Sequence, residues 1–166
     1  MFLLAFFALL RIGEFTKTGL QMEQSHLPQN QDVTIHKRTL HVTMRSFKHS
    51  SSCPTTLCLA SQSGVLCPVK AIKDYKEMRG SSDGSLFIFS SGQPITRAFF
   101  MQYYVHALRW ANMDPHRYKS HSFRIGAATT AATRGLTDAQ IQAMGRWKSN
   151  AYKRYIRIPT LSCSLT

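Results

Sequence analysis

Apolar and polar residues follow two different periods along this chain, and the change of period divides it into helical and extended regions. Phe2 to about Thr16 is apolar as far as Arg11 and is predicted to form one helix. From Asp32 the apolar positions recur at every second residue, which predicts a β-hairpin with its turn at Lys37–Arg38. Thr55–Ala60 is predicted to add a third strand.

Helical periodicity dominates after the third strand. A proline at an early helix position favours a helix over Cys67–Arg79. Thr96 is predicted to cap a helix that ends near Asn112 and buries two adjacent apolar stripes. One stripe consists of Phe100, Tyr104 and Leu108, and the other consists of Tyr103, Ala107 and Ala111. Further predicted elements are an extended segment at Leu86–Phe89, a helix from about Ser120, a helix over Thr137–Met144, and a short last helix that carries Tyr152 and Tyr155.

Together these patterns predict an α+β domain that is mostly helical and has one small three-stranded antiparallel sheet. The 166 residues, 43% of them hydrophobic, match one domain with a buried core. A large central sheet would contradict this fold class.

The excess of basic over acidic residues indicates which class of partner the protein binds. Lys and Arg number 21 while Asp and Glu number only 8, which gives a formal net charge of +13. Such an excess favours a polyanion, because each phosphate that a protein neutralises releases bound counterions. A ribosomal-type or membrane-surface basic protein has a similar balance, so charge alone does not decide between them.

The apolar start of the chain, Met1–Leu10, is predicted to be a buried helix rather than a membrane segment. It is too short to cross a bilayer, which takes about 20 apolar residues. It also lacks the basic residues that precede, and the small-residue cleavage site that follows, the apolar part of a signal peptide. No membrane partner is therefore expected.

The four cysteines do not follow a metal-binding pattern. They are Cys53, Cys58, Cys67 and Cys163, and no two form a Cys-x-x-Cys pair. The first three with His49 are a conceivable zinc set, but free thiols in a reducing compartment explain them better. The glycine-rich phosphate-binding patterns of nucleotide-dependent proteins are also missing from the sequence. The sequence predicts no metal and no cofactor.

Candidate chemistry concentrates in the segment from His121 to Thr129. His121 and Arg124 are three residues apart, so a helix presents both on one face. Imidazole exchanges protons near neutral pH, and guanidinium binds phosphate oxygens through paired hydrogen bonds. A tyrosine hydroxyl shortly downstream completes a set for nucleophilic phosphoryl transfer. Taken alone, a His-x-x-Arg pair is common by chance and usually lies solvated on a helix surface.

Six residues occur in an order that is typical of one enzyme family: Arg11, Lys48, His121, Arg124, Trp147 and Tyr155. With the motifs around them, the sequence resembles the catalytic domain of the tyrosine recombinases, the phage-integrase superfamily. Leu9–Glu14 is similar to the family's first-arginine helix, and Gly145–Trp147 resembles the step before its nucleophile. Three short segments are most similar in sequence to recombinases of eukaryotic DIRS and Crypton mobile elements. They are Cys67–Val69, His121–Gly126 and Gly145–Ser149.

The resemblance implies the chemistry of DNA strand cleavage and rejoining. Arg11 and Arg124 are expected to clamp the scissile phosphate. Tyr155 is expected to attack it, giving a 3′-phosphotyrosyl link and a free 5′-hydroxyl. His121 is expected to assist removal of the phenolic proton, since an unperturbed tyrosine has a pKa of about 10. Lys48, near a β-turn tip, is expected to protonate the leaving 5′-oxygen.

The nucleophile has a competitor. Tyr152 and Tyr155 are three residues apart and could share a helix face. Tyr155 is preferred because its Tyr-Ile-Arg setting resembles the family pattern, although the gap from Trp147 to Tyr155 is one residue shorter than in many integrases. Trp147 stands where many relatives have histidine, and it is expected to hydrogen-bond the phosphate through its indole N–H while packing the site.

The resemblance also sets expectations for the whole chain. Residues 1–158 are expected to be the catalytic domain, without the amino-terminal helical domain that closes around DNA in relatives, and residues 159–166 a short tail. Double-stranded DNA is the expected partner, with several copies of the chain assembled on it. A nuclear location is expected if the chain is eukaryotic, and a cytoplasmic one otherwise. The alternative is a non-catalytic DNA-binding relic or fragment of a mobile-element recombinase.

Overall fold

Helices form most of the regular structure. The computed structural model describes residues 1–19, 23–45 and 54–157. The α-helices there are α1 (Phe2–Phe7), α2 (Pro68–Arg79), α3 (Arg97–Trp110), α4 (Ser122–Thr133) and α5 (Asp138–Gly145). Short 3-10 helices are found at Ile12–Glu14, Gln24–His26, Asn30–Asp32, Pro115–Arg117 and Asn150–Tyr155. None of the helices in these ranges is long and apolar enough to cross a membrane.

The region of period two forms one antiparallel sheet. Strands β1 (Val33–His36), β2 (Thr39–Met44) and β3 (Thr55–Ala60) lie side by side in that order. Lys37 in the first turn has a φ of +54°, so the chain reverses within two residues and His36 lies opposite Thr39. The predicted hairpin, third strand and α+β fold class are confirmed.

Helix caps agree with the sequence signals. The Thr96 hydroxyl accepts from the Phe99 N–H at the start of α3. Thr137 and Gln140 form a reciprocal capping box at the start of α5. Because these caps are local in sequence, the starts of both helices were predictable.

Two groups of buried apolar side chains hold the elements together. The larger group joins α1, the sheet, α2 and α3, and it includes Leu4, Leu40, Ile72 and Phe100. The smaller group joins α4, α5 and the last 3-10 helix, and it includes Ala128, Ala131, Ile141, Trp147 and Tyr152. α4 packs against α1 at Gly126, where an added Cβ would lie 3.4 Å from the Phe6 ring, at van der Waals contact. The candidate site residues around Trp147 therefore rest on the smaller group.

The first helix is shorter than predicted. α1 ends at Phe7, and Leu9 adopts a left-handed backbone with a φ of +48° that turns the chain. Arg11 therefore lies beyond the helix, at the start of the 3-10 helix Ile12–Glu14. The predicted continuation to Thr16 was wrong, because an apolar run does not reveal where a residue will adopt a left-handed conformation.

α3 buries one apolar stripe rather than two. Phe100, Tyr104 and Leu108 are buried as predicted. Tyr103 is 56% exposed, and the rest of its stripe is exposed as well. In the segment Leu86–Phe89, which was predicted to be extended, Ile88 forms an isolated antiparallel bridge with Pro94. The exposure of Tyr103 was not predicted because a helical pattern alone does not tell which face another element covers.

Candidate active site

The Arg124 side chain lies where the sequence motifs meet. It projects from the first turn of α4 and is fully buried. Its Nη1 donates to the Leu9 carbonyl, and its Nη2 donates to the Gly145 carbonyl at 2.9 Å. The guanidinium carbon lies 4.5 Å from the centroid of the Trp147 ring and 5.5 Å from that of the Tyr155 ring. Backbone carbonyls and two aromatic rings thus hold the cation.

The positive charge of Arg124 is only partly compensated by its surroundings. Burial, followed by the nearby charge of Arg11, lowers the pKa of Arg124 to about 10. The guanidinium therefore stays protonated at neutral pH. Its buried Nε finds no acceptor among the described residues. A buried cation with a spare N–H group favours an anionic ligand, since the anion would offset the desolvation of the charge.

Tyr155 and His121 bring a hydroxyl and an imidazole together. The Tyr155 hydroxyl lies 3.5 Å from His121 Nδ1, at the outer limit for a hydrogen bond. The Tyr155 ring packs 5.2 Å from the Trp147 ring, centroid to centroid. Tyr155 is half-buried and His121 is exposed, so the pair lies at the surface end of the site. The imidazole is placed to accept the phenolic proton if its own proton is on Nε2.

A threonine on α4 fixes the position of the tyrosine segment. The Thr129 hydroxyl donates to the Tyr155 carbonyl at 3.2 Å and accepts from the Arg157 N–H at 3.0 Å. Both bonds join α4 to the chain directly around Tyr155. Thr129 therefore orients the tyrosine relative to the helix that carries His121 and Arg124.

Tyr152 has a different environment from Tyr155. Its side chain is only 3% exposed and packs 6.2 Å from the Trp147 ring. A hydrogen bond to Asp138, followed by burial, raises the pKa of Tyr152. Tyr152 thus serves the core, whereas the hydroxyl of Tyr155 faces His121.

Arg11 is paired within its own turn. Its Nη1 donates to Glu14 Oε1 at 2.9 Å, and its backbone N–H donates to Glu14 Oε2 at 2.8 Å. The Glu14 side chain is 6% exposed, while that of Arg11 is 30% exposed. The sequence predicted Arg11 within a helix. The structure places it at the start of the 3-10 helix Ile12–Glu14, paired with Glu14.

Arg146 is a site residue that the sequence analysis did not single out. Its Nη1 donates to the Ala8 carbonyl at 3.0 Å, and its Nη2 donates to the Leu9 carbonyl at 3.3 Å. Nη2 also lies 3.7 Å from Glu14 Oε2. Burial and the charge of Arg11 lower the pKa of Arg146, and Glu14 opposes them. Its only sequence signal was its place inside the Gly145–Trp147 motif.

Gly145 allows Trp147 to lie against the end of α5. A Cβ added at Gly145 would fall 1.7 Å from an atom of the Trp147 ring, which is far below any possible contact. Trp147 is 9% exposed. A glycine is therefore required before the tryptophan, and the same glycine supplies a carbonyl to Arg124.

Not all of the remaining candidate residues lie in the part of the chain that the structure describes. Lys48 lies outside the described residues, as do His49, Cys53 and Cys163. Cys58 is an exposed free thiol and Cys67 a buried one. Among the described residues, no group of three or more His, Cys, Asp or Glu side chains is arranged to hold a metal ion.

No protein-family model matches the sequence, and no curated protein matches it either. Solved structures do match. The XerH site-specific recombinase, in a pre-cleavage complex with its difH substrate, is 16% identical with a TM-score of 0.60, over 89% of this chain and 41% of that one. The XerA recombinase is 16% identical with a TM-score of 0.63, over 92% of this chain and 52% of that one.

A third match comes from a mobile element. The Tn1549 transposon integrase, in complex with circular intermediate DNA, is 15% identical with a TM-score of 0.62, over 96% of this chain and 53% of that one. The present chain thus spans about half the length, or less, of the recombinases that it matches. The DIRS and Crypton likeness stays a prediction. At such low identity the matches establish architecture, and the chain has the fold of the tyrosine recombinases.

Proposed function

We propose that this chain cleaves and rejoins DNA strands through a 3′-phosphotyrosyl intermediate, with Tyr155 as the nucleophile. The observation that carries the proposal is the 3.5 Å approach of the Tyr155 hydroxyl to His121 Nδ1, beside the buried Arg124 cation. His121 directly precedes α4, Arg124 lies in its first turn, and Tyr155 ends the last 3-10 helix. A nucleophile, a proton acceptor and a phosphate-binding cation are the groups that transesterification needs. The recombinase fold supports the same conclusion.

In the proposed step, the Tyr155 oxygen attacks the phosphorus of a DNA phosphodiester. The bond from phosphorus to the 5′-oxygen breaks as the bond to Tyr155 forms, and the phenolic proton passes to His121 Nδ1. The leaving 5′-oxygen takes up a proton, for which Lys48 remains the predicted donor. Because the bond energy is kept in the phosphotyrosyl link, attack by a 5′-hydroxyl rejoins the strand without ATP.

Arg11 and Arg124 would bind the non-bridging oxygens. Arg11 uses one terminal nitrogen for Glu14 and is 30% exposed, which leaves part of the guanidinium accessible. Arg124 has the unpartnered Nε. Charge at these positions stabilises the pentacoordinate transition state more than the ground state, since the oxygens gain negative charge as the attack proceeds. Trp147 would pack the wall of this site and hydrogen-bond the phosphate through its indole N–H.

Covalent trapping on nicked duplex DNA tests the proposal. A nick beside the scissile phosphate lets the short 5′-hydroxyl fragment diffuse away, so the phosphotyrosyl adduct accumulates. The adduct should survive denaturing gel electrophoresis and should map to a peptide that contains Tyr155. Failure to form any adduct, including when a separate DNA-clamping domain is supplied, would contradict the proposed activity.

A second candidate function is a non-catalytic DNA-binding module derived from a recombinase. The observation in its favour is that both terminal nitrogens of Arg124 donate to backbone carbonyls, so the side chain already has a structural role. Such a module would bind DNA without forming an adduct. The trapping experiment, run beside a DNA-binding measurement, separates the two functions.

The same proposal extends to partners and location. Double-stranded DNA is the partner that the net charge of +13 and the recombinase fold support. We propose assembly of several copies on that DNA, a nuclear location in a eukaryotic cell, and an origin in a DIRS- or Crypton-type mobile element. The absence of membrane association also belongs to the proposal.

A further inference from the structure

Two residues with left-handed backbones face each other beside the candidate site. Leu9 has a φ of +48° and Arg146 has a φ of +56°. A Cβ makes this conformation unfavourable, and glycine is the usual residue there when it follows a helix. Arg146 occupies that position after α5. Such strain persists where the surrounding contacts hold it, and it concentrates at functional sites.

The Arg146 guanidinium joins the end of α5 to the N-terminal turn. It donates to the carbonyls of Ala8 and Leu9 at 3.0 and 3.3 Å. Its Nη2 lies 3.7 Å from the Glu14 carboxylate, and its side chain is 17% exposed. The fork of the guanidinium therefore contacts the strained turn at Leu9 and the buried acid.

Arg146 contacts the Leu9 carbonyl and Glu14, and these same groups position Arg124 and Arg11. The Leu9 carbonyl accepts from Arg124 as well. Glu14 pairs with Arg11 at 2.9 Å. The guanidiniums of Arg11 and Arg146 thus share the Glu14 carboxylate. With the nearby Arg124 included, the cluster carries a formal charge of +2. A carboxylate shared with Arg146 neutralises Arg11 less than one that Arg11 holds alone.

We propose that Arg146 is a positioning residue for the strand-cleavage centre. It fixes the Ala8–Leu9 turn and Glu14, and through them it places Arg11 and Arg124 around one phosphate. This inference rests on the proposed function and deepens it. Lysine cannot replace Arg146, because an ammonium is a point donor and lacks the rigid fork that reaches two carbonyls and a carboxylate together.

The first test measures the single-turnover rate of adduct formation at saturating nicked DNA, together with the Kd for that DNA. Arg146→Lys and Arg146→Gly should lower the rate about tenfold or more while the Kd changes by less than about threefold. Arg146→Gly also relieves the backbone strain, so its loss of rate would come from the side chain. Thermal unfolding of both variants ensures that the rates refer to folded protein.

A matched control is available at another basic residue whose backbone is left-handed. Lys37, with a φ of +54° in the hairpin turn, is exposed. Lys37→Gly removes one positive charge and one strained side chain, as Arg146→Gly does, and should keep the wild-type rate. Wild-type rates in both Arg146 variants would overturn the inference, as would an equal loss in Lys37→Gly.

Binding of orthovanadate, a tetrahedral oxyanion, separates this inference from the proposed function. Vanadate should raise the thermal unfolding midpoint of the wild type, and Arg146→Lys should need about tenfold more vanadate for the same shift. If this holds but the wild type forms no adduct, the proposed function fails, and what stands of the inference is that Arg146 positions Arg11 and Arg124 around an oxyanion. If the wild type forms an adduct and Arg146→Lys matches it in rate and vanadate response, only the inference fails. No vanadate shift in the wild type would also overturn it.

Discussion

Single residues decide the chemistry that this site can perform. The two candidate nucleophiles are only three residues apart, yet Tyr152 is 3% exposed in the core while the Tyr155 hydroxyl lies 3.5 Å from His121 Nδ1. A 3-10 helix repeats about every three residues, so burial of one tyrosine would by itself favour burial of the other. The separation arises because Tyr155 packs over Arg124 and Trp147 at the surface end of the smaller core group.

Replacing Tyr155 by Phe should abolish adduct formation while leaving DNA affinity within about twofold of wild type. The change removes only the hydroxyl, so the ring still packs on Trp147 and Arg124 stays in place. Gel analysis of trapped complexes and a binding titration on the same DNA measure the two quantities. Tyr152→Phe is the control and should remain competent, although it loses the interaction with Asp138. A dead Tyr152→Phe with an active Tyr155→Phe would reverse the assignment.

At the scale of elements, the site depends on how α4 and α5 meet the segments on either side of them. α4 supplies Arg124 and the Thr129 bridge, and α5 ends in Gly145, which supplies a carbonyl to Arg124. α1 stops early, and this brings the Leu9 carbonyl to the same guanidinium. The cluster is therefore a junction of element ends, where backbone carbonyls are free to accept.

The Thr129 bridge should control the rate rather than the affinity. Thr129→Val removes both hydrogen bonds to the tyrosine segment at nearly constant volume, so the tyrosine should lose its fixed orientation. We expect a fall of about tenfold or more in single-turnover adduct formation, with the Kd for DNA little changed. Thr130→Val on the same helix is the matched control, because the Thr130 hydroxyl takes no part in this bridge. An unchanged rate for Thr129→Val would show that the segment is oriented in another way.

The contact of α5 with Trp147 should leave no room for a side chain at Gly145. Gly145→Ala puts a Cβ 1.7 Å from a ring atom of Trp147, so the indole must move and the core group beneath it must repack. We expect a loss of roughly 1–3 kcal/mol in the free energy of unfolding, measured by urea denaturation. Gly19→Ala is the control, since nothing lies within 4 Å of its added Cβ. Equal stability of the two variants would contradict the packing described at Trp147.

The whole molecule is a basic protein in which some acidic residues form ion pairs away from the candidate site. Lys70–Asp74 on α2 and Arg45–Asp32 beside the sheet are ion pairs of 2.7 Å. The Asn150–Tyr155 helix carries Lys153 and Arg154 and no acidic residue, next to the candidate nucleophile. Lys153 lies 3.9 Å from Asp138, so Arg154 is the cation of this helix that best suits a DNA backbone.

Binding to duplex DNA should weaken steeply with salt. With six or more phosphate contacts, the affinity should fall about 10³-fold or more between 50 and 200 mM salt. A fluorescence anisotropy titration at several salt concentrations gives the slope. Arg154→Gln should reduce the slope by about one, whereas Lys70→Gln, on a residue already paired with Asp74, should leave it unchanged. Affinity that does not depend on salt would exclude a phosphate-backbone interface.

Elements that depend on neighbouring residues could be predicted from the sequence. The hairpin at Lys37, the proline-led start of α2 and the capping box of Thr137 all rest on contacts within a few residues. The α+β class followed from the same local patterns, whereas the order of the motif residues was informative through the resemblance to tyrosine recombinases. Local periodicity and capping act before any tertiary contact is made.

The tertiary structure determined where these elements end, which of their faces are buried and which residues form the candidate site. The end of α1 at Phe7, the exposure of Tyr103 and the inclusion of Arg146 in the site follow no local pattern. They depend on which surface another element covers, and on bonds such as that from Arg146 to Leu9, which join positions 137 residues apart. A left-handed turn at Leu9 is tolerated because distant arginines bind the carbonyl that it presents. Hydrogen bonds between residues so far apart in sequence form only in the folded chain. The local pattern of apolar and polar residues therefore does not predict them.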